Sequence, residues 1–274
     1  MCQILKLSRS GYYDWRRHKE MKRSETLAAL RIKSLFLASN KTYGTRRLKE
    51  ALFAQYGMRL SRRRIGRLMR EMGLSVRKRR TYPRTTDSRH NHPVADNLLQ
   101  KDFNVQTPNR VYVGDITYIP TREGWVYLAT VIDLFARSVV GWSLKDSLAT
   151  PLVIDALQKA AGKRTSLQGA IFHSDRGSQY ASKAFVQLLV DHGMSQSMSA
   201  RGDCYDNAVA ESFFHTIKTE LIHHRNFQTK QEAKEKIKAY IDYYNRTRLH
   251  SYNGYVSPME KEFRWWQAHQ EHVA

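Results

Sequence analysis

Cysteine is almost missing from this chain of 274 residues, which has only Cys2 and Cys204. Two such residues cannot build a disulfide scaffold, and no Cys pair has zinc-ligand spacing, so folding rests on a hydrophobic core in a reducing compartment. Long apolar runs are missing too. The longest, residues 127–136 (YLATVIDLFA), is short and interrupted by Asp133, so nothing in it spans a membrane. The opening MCQILKLSRSGYYDWRRHKE has neither the unbroken apolar stretch nor the small-residue cleavage site of a secretory signal. A soluble, cytoplasmic protein is expected. Acidic residues are scarce, 25 Asp and Glu against 46 Lys and Arg, for a formal net charge of +21. What is present excludes a wholly disordered chain: 41% hydrophobic residues and 11% aromatics can fill a core, and the length suits one to two domains.

The positive excess is concentrated. Residues 1–90 hold 25 Lys/Arg and 6 Asp/Glu, whereas residues 91–274 hold 21 and 19. A block of that size marks contact with a polyanion, and nucleic acid is the leading partner; a merely solvated basic face is the plainer alternative. Trp15 and the pair Tyr12 and Tyr13 are not followed by a long basic amphipathic helix, which disfavours a membrane surface.

Within the basic third, Ser24 is placed to cap a helix to about Leu37, with Leu27, Leu30, Phe36 and Leu37 as its apolar stripe. A second helix starts at Thr45, sets Leu48, Leu52 and Phe53 at helical spacing and stops near Gly57. Ser61 caps a third, with Ile65, Leu68, Met69 and Met72 inward, Gly73 closing it, and Arg62, Arg63, Arg64, Arg67 and Arg70 on the other face. Two short helices around a tight Gly-containing turn, the second rich in Arg, make the pattern of a helix-turn-helix DNA reader. Residues 77–92, RKRRTYPRTTDSRHNH, lose all periodicity; Arg77, Lys78, Arg79 and Arg80 open a linker that a phosphate backbone would order.

Residues 110–120, RVYVGDITYIP, alternate as a strand with Val111, Val113, Asp115, Thr117 and Ile119 on one face. Two more strands follow at 125–132 and 138–144, then a helix over 150–161 opened by Pro151. A short buried strand over 170–174 ends at Asp175, and a helix spans 182–192 with Phe185, Leu188 and Leu189 inward. A last strand over 195–199 and amphipathic helices over 207–221 and 231–244 complete a mixed sheet covered by helices. The predicted division is a helical DNA-binding domain over 1–76, a basic linker over 77–104 and an α/β domain with a helical extension over 105–274.

In so basic a chain, acids in apolar surroundings stand out. Asp115 sits among Val113, Ile116 and Ile119, where an unpaired carboxylate is costly. Asp175 ends the strand IFHS, and Glu211 lies within AVAESFF. Singly, each has a plain explanation: an ion pair, a turn cap, a solvated helix residue. Together they fit phosphodiester chemistry, in which a small cluster of hard carboxylates holds two divalent ions against the attacking and leaving oxygens. Asn207, Glu211 and Lys218 fall near one side of their helix, so Lys218 can bind a phosphate there or remain a solvated lysine. His173, two residues before Asp175, reads as a packing histidine, and the pair Trp265 and Trp266 as closing the core.

GDITYI around Asp115, HSDRGSQY around Asp175 and DNAVAESFFHTIKTE around Glu211 closely resemble the integrase-type core of bacterial insertion-sequence transposases. More narrowly, the chain resembles the second-frame (OrfB) subunit of the two-reading-frame elements related to retroviral integrases. Thirty-five residues, 176–210, separate the second Asp from the Glu, the spacing of that family. YGTRRLKEAL resembles its helix-turn-helix segment and YYNRTRLHSYNGYVSP its C-terminal block, so the likeness runs from about residue 40 to 260. Where the family commonly has Trp in the first strand, this chain has Tyr112, and it lacks the cysteines of the retroviral zinc module. The resemblance implies an RNase H-like fold and a DDE triad of Asp115, Asp175 and Glu211 binding two Mg²⁺, with Mn²⁺ as a substitute. It implies DNA contact by Asn207 and Lys218, and strand cleavage and strand transfer at element ends without a covalent protein–DNA intermediate. It further implies a homo-oligomer on double-stranded DNA, a nucleoid-associated location, and a first-frame (OrfA-type) partner, encoded upstream or fused by frameshifting. A nuclease of the same fold and a non-catalytic DNA-binding repressor are the rival readings. Strand-transfer products distinguish the first, and metal-dependent cleavage the second.

Overall fold

The computed structural model describes residues 8–76, 95–100, 102–200 and 207–270. Arg77, Lys78, Arg79, Arg80 and most of the expected linker lie outside the described residues. The chain divides into two compact units, Met1–Lys78 and Arg79–Ala274.

The smaller unit holds α1 (Arg9–Ala38), α2 (Thr45–Tyr56) and α3 (Arg62–Glu71). α1 starts well before the expected cap at Ser24: Ser8 is the N-cap, its hydroxyl accepting from Gly11 N at 3.3 Å. No Gly or Pro interrupts residues 12–38, and a mid-helix Ser costs only about half a kcal/mol against Ala, so the helix runs on upstream. Its buried stripe is Ala28, Ile32, Leu35 and Phe36, at helical spacing; Leu27, Leu30 and Leu37, expected inside, point outward. Neighbouring residues lie about 100° apart around a helix, so a stripe centred on 28, 32 and 35 leaves 27, 30 and 37 off the packed face. α2 contributes Leu48, Ala51 and Leu52 and α3 Ile65, Leu68 and Met69, whereas Phe53 is exposed. Gly57 ends α2 at φ 64°, a left-handed conformation natural to glycine, with its N–H donating to Phe53 O at 2.9 Å. Ser61 caps α3 by accepting from Arg64 N at 3.2 Å. Arg62, Arg63 and Arg70 are exposed, while Arg64 and Arg67 turn towards Glu25 of α1.

The larger unit is built on β1 (Val111–Thr121), β2 (Gly124–Asp133), β3 (Ser138–Lys145), β4 (Ile171–Ser174) and β5 (Ser195–Met198), in the order β3-β2-β1-β4-β5. The first three strands pair antiparallel; β4 runs parallel to β1 and β5 parallel to β4. α4 (Thr150–Ala161) leads from β3 to β4, and α5 (Lys183–Asp191) is the crossover that a parallel β4–β5 pair requires. The first half of β1, residues 111–114, is buried because both of its faces are covered. Tyr112 packs with Ala129, Val131, Val140 and Phe172 and with Leu152, Ala156 and Phe185 from α4 and α5. Val111, Val113 and Ile119 pack with Leu128 and Ile132 and with residues of α6 (Ala208–Glu220) and α7 (Lys230–Arg246). α4 lies so close to β3 that a Cβ on Gly141 would stand 2.1 Å from Ala156 O.

One irregularity of the sheet positions the site. β4 pairs with β1 only along Val111–Val113. Between Gly114 and Pro120 that edge of β1 has no strand partner among the described residues, until Thr121 bridges to Phe227. At the far side, α8 (Pro258–Gln270) is tied down through Arg164, which binds both Asp133 and Glu262, and through Lys261 Nζ, which donates to Phe135 O at 2.7 Å. Trp265 packs against Phe135, but Trp266 stays exposed, so only one of the pair expected to close the core does so.

Candidate active site

Asp115 lies opposite Thr130 of β2, at the start of the open edge. Strand alternation sets it on the side of Val113, the side packed by α6 and α7. Its Oδ1 accepts from Ile116 N at 2.8 Å. Burial pushes this carboxyl well above the usual range, and the charges of Asp175 and Glu211 raise it further, against the Ile116 N–H and Lys218, which pull it down.

Asp175 follows β4 directly. His173 pairs with Val113 in the last rung of the parallel ladder, so Asp175 leaves β4 two residues beyond it, near enough for its charge to act on Asp115. Gly177 N donates to Asp175 Oδ1 at 3.0 Å and turns the chain away. The strand below is anchored by His173, wholly buried, whose Nδ1 is 2.8 Å from Ser197 Oγ and whose Nε2 is 3.3 Å from Ser199 Oγ. This is the packing role expected of it. Arg176 Nε donates to Ser199 O at 2.8 Å, holding the loop after Asp175 to the end of β5.

Glu211 is exposed in the first turn of α6, and Asn207 is the N-cap residue. Asn207, for which DNA contact was expected, is buried here: its Nδ2 donates to Gly114 O at 3.3 Å and fastens the start of α6 to the open edge of β1. Its Oδ1 is buried with no hydrogen-bond partner among the described residues. Lys218 is half-buried two turns further on, with Nζ 5.3 Å from the centre of the Tyr118 ring and its charge felt by Asp115.

Asp175 and Glu211 therefore both act electrostatically on Asp115. Among the described residues, however, no three His, Cys, Asp or Glu side chains are gathered closely enough to hold a metal ion.

Two supports were not foreseen from the sequence. Gly114 lets Phe172 pack against β1 on the face opposite Asp115, since a Cβ there would lie 2.5 Å from Phe172 Cζ; a Gly inside a strand next to an acid was the available signal. At the far end of α6, Glu220 receives Arg248 Nε at 2.9 Å and Nη2 at 2.7 Å, and Tyr240 OH at 2.8 Å, all buried. Nothing in the periodicity pairs residues so far apart.

Residues 105–204 and 192–258 match two families described as integrase core domain, and residues 22–82 match an HTH-like domain. A 31 kDa protein of insertion element IS600 from Shigella sonnei is 41% identical over 261 residues, covering 94% of this chain and 96% of that protein. Transposase InsF for insertion sequence IS3A of Escherichia coli is 39% identical over 269 residues, 96% of this chain and 92% of that one. Among solved structures, the catalytic core domain of HTLV-2 integrase in complex with magnesium is 18% identical, with a TM-score of 0.44, over 57% of this chain and 97% of that one. The matched core takes in the whole sheet and the helix bearing Glu211, which makes this an integrase-type (DDE) polynucleotidyl transferase, an enzyme that cuts and joins DNA strands. The near-full-length relatives narrow the class further. The chain belongs to the transposases of the IS3 insertion-sequence family, with the second-frame, OrfB-type subunits, which act at the ends of insertion sequences.

Proposed function

We propose that Asp115, Asp175 and Glu211 are the catalytic triad and hold two Mg²⁺, for which Mn²⁺ can substitute. Three hard carboxylates without a soft ligand suit these ions, and a buried Asp115 repelled by two acidic neighbours is stabilised by a cation. Bound there, the ions would compensate charge on the attacking and leaving oxygens of a phosphodiester. The chain's own contribution is placement. β1 carries Asp115, its sheet neighbour β4 leads directly into Asp175, Asn207 fixes α6 to the open edge, and Lys218 would offer a cation to the adjoining phosphate. Exposed Arg62, Arg63 and Arg70, together with Arg77, Lys78, Arg79 and Arg80, would bind backbone phosphates, with Arg64 and Arg67 bracing α3 on Glu25. The active form would be a multimer bridging two element ends, working with a first-frame partner.

The position of Asp175 directly after β4, the parallel neighbour of the strand that carries Asp115, supports this reading. Its test uses duplexes ending in the element's inverted repeats. Metal-dependent nicking and joined products are expected, and Asp115→Asn should abolish both while sparing binding. Nicks without joined products would indicate a nuclease, and undiminished activity of Asp115→Asn would overturn the triad.

A further inference from the structure

Three residues beyond Asp115, the β1–β2 hairpin carries two large rings at its surface. Tyr118 is 40% exposed and Trp125 51% exposed. They sit on one face of the hairpin, Tyr118 opposite Tyr127 and Trp125 opposite Pro120, and meet edge to face with centroids 5.2 Å apart. Edge-to-face packing leaves ring faces that the pair itself does not cover. A pair that only stiffened a hairpin would not require both rings in water, nor a cation laid against one of them. Lys218 supplies that cation and spans both faces of β1: its helix α6 packs on the Val113 face, whereas the Tyr118 ring, 5.3 Å from Nζ, lies on the other. An ammonium can serve both only across the open edge between Gly114 and Pro120. Arg122, exposed at the hairpin tip, adds positive charge on the same approach.

We infer that Tyr118 and Trp125 form a stacking platform for an unpaired DNA base beside the triad. Lys218 holds the phosphate that lies between the base and the reacting bond. This deepens the transposase reading and rests on it. Three strand residues span about 10 Å, or about three 3.4 Å nucleotide rises, so the stacked base belongs within about three nucleotides of the reacting phosphate. The base must be unpaired, because a ring at a sheet surface reaches the π-face of a base only outside the duplex, and stacking of that kind tolerates any sequence.

The test uses the full chain, without divalent metal, and a duplex with a short single-stranded 3′ end carrying 2-aminopurine at each unpaired position in turn. Binding should quench the probe at one position. Tyr118→Ile with Trp125→Val keeps β-branched side chains suited to a strand; it should lose the quenching and about tenfold or more in affinity for this end, with blunt-duplex affinity unchanged. Tyr118→Phe should retain the quenching. If the double variant fails to fold, Tyr118→Ile alone gives the reading. Quenching and affinity unchanged in the ring-deleted variants would overturn the platform. Metal-dependent cleavage by the unaltered chain is recorded on the same duplexes. Cleavage without ring-dependent quenching removes the platform and leaves the transposase chemistry standing, whereas ring-dependent quenching without cleavage does the reverse.

Discussion

Replacing Arg248 with methionine takes the cation out of a buried pair and leaves the anion in place. Arg248 Nε and Nη2 reach the two oxygens of Glu220 at 2.9 and 2.7 Å, and Tyr240 OH shares one of them at 2.8 Å. Burial alone would weaken the hold of Arg248 on its proton, but the bonds and charge of Glu220 reverse this and raise it above its ordinary value. In Arg248→Met the buried carboxylate of Glu220 loses its cation while still accepting from Tyr240 OH. Breaking a buried pair from one side costs about 3–5 kcal/mol. At about 2–4 °C per kcal/mol for a unit of this size, the midpoint should fall by about 6–20 °C. Near-ultraviolet circular dichroism of the full chain, sensitive to Tyr240 and its aromatic neighbours, follows the transition. Adding Glu220→Gln should recover much of the loss, since no charge is then stranded. A fall of less than about 2 °C in Arg248→Met would refute the argument. Because α6 carries Glu211 near its other end, slower cleavage is expected well below the midpoint.

Other outcomes follow from the same packing. Gly141→Ala puts a methyl 2.1 Å from Ala156 O and 2.8 Å from the Ala160 side chain, and should cost about 1–3 kcal/mol in urea denaturation; a neutral result would contradict the close β3–α4 approach. Asp133 is wholly buried, and burial raises its carboxyl to about 6 against the pull of the Asn109 N–H, Arg164 and the Phe135 N–H. Between about pH 4 and pH 6 the folded chain keeps a proton that the unfolded chain releases. This contribution is therefore full below about pH 4, declines by about 3 kcal/mol as pH rises to 6 and is flat above it. Asp133→Asn should remove that slope, and identical slopes in both proteins would disprove it. For the arginines, Arg62→Ala with Arg63→Ala should lower the log–log salt dependence of DNA binding by about 2, whereas Arg67→Ala, already engaged with Glu25, should leave it unchanged.

Much of this was legible because local signals and tertiary packing agree. Ser61, Gly57 and Pro151 mark helix ends by their own backbone chemistry, and each falls where the structure has an end. Ala233, Ile237, Tyr240, Ile241 and Tyr244 are all buried, as a 3.6-residue period requires. The errors lie where the deciding partner is remote. Ser24 is a competent cap that α1 passes through, and whether Leu27 or Ala28 faces inward depends on where α2 and α3 sit. Asp115, Asp175 and Glu211 stood out as acids in apolar text, but the bond from Asn207 to Gly114 and the pair Glu220 with Arg248 join residues with no periodic relation. Periodicity registers what a segment does to itself, not which distant carbonyl or carboxylate it will meet.

β1 feeds both apolar layers of the larger unit, Tyr112 into one and Val113 into the other. A slip of one position in its alignment would exchange the two sets and drive Asp115 towards Phe172 and Tyr180. Such a misthreaded molecule would be inert and unstable at once. If the proposed triad is the cutting group, only chains whose interior has assembled correctly can use it, and correct packing acts as a licence to cut.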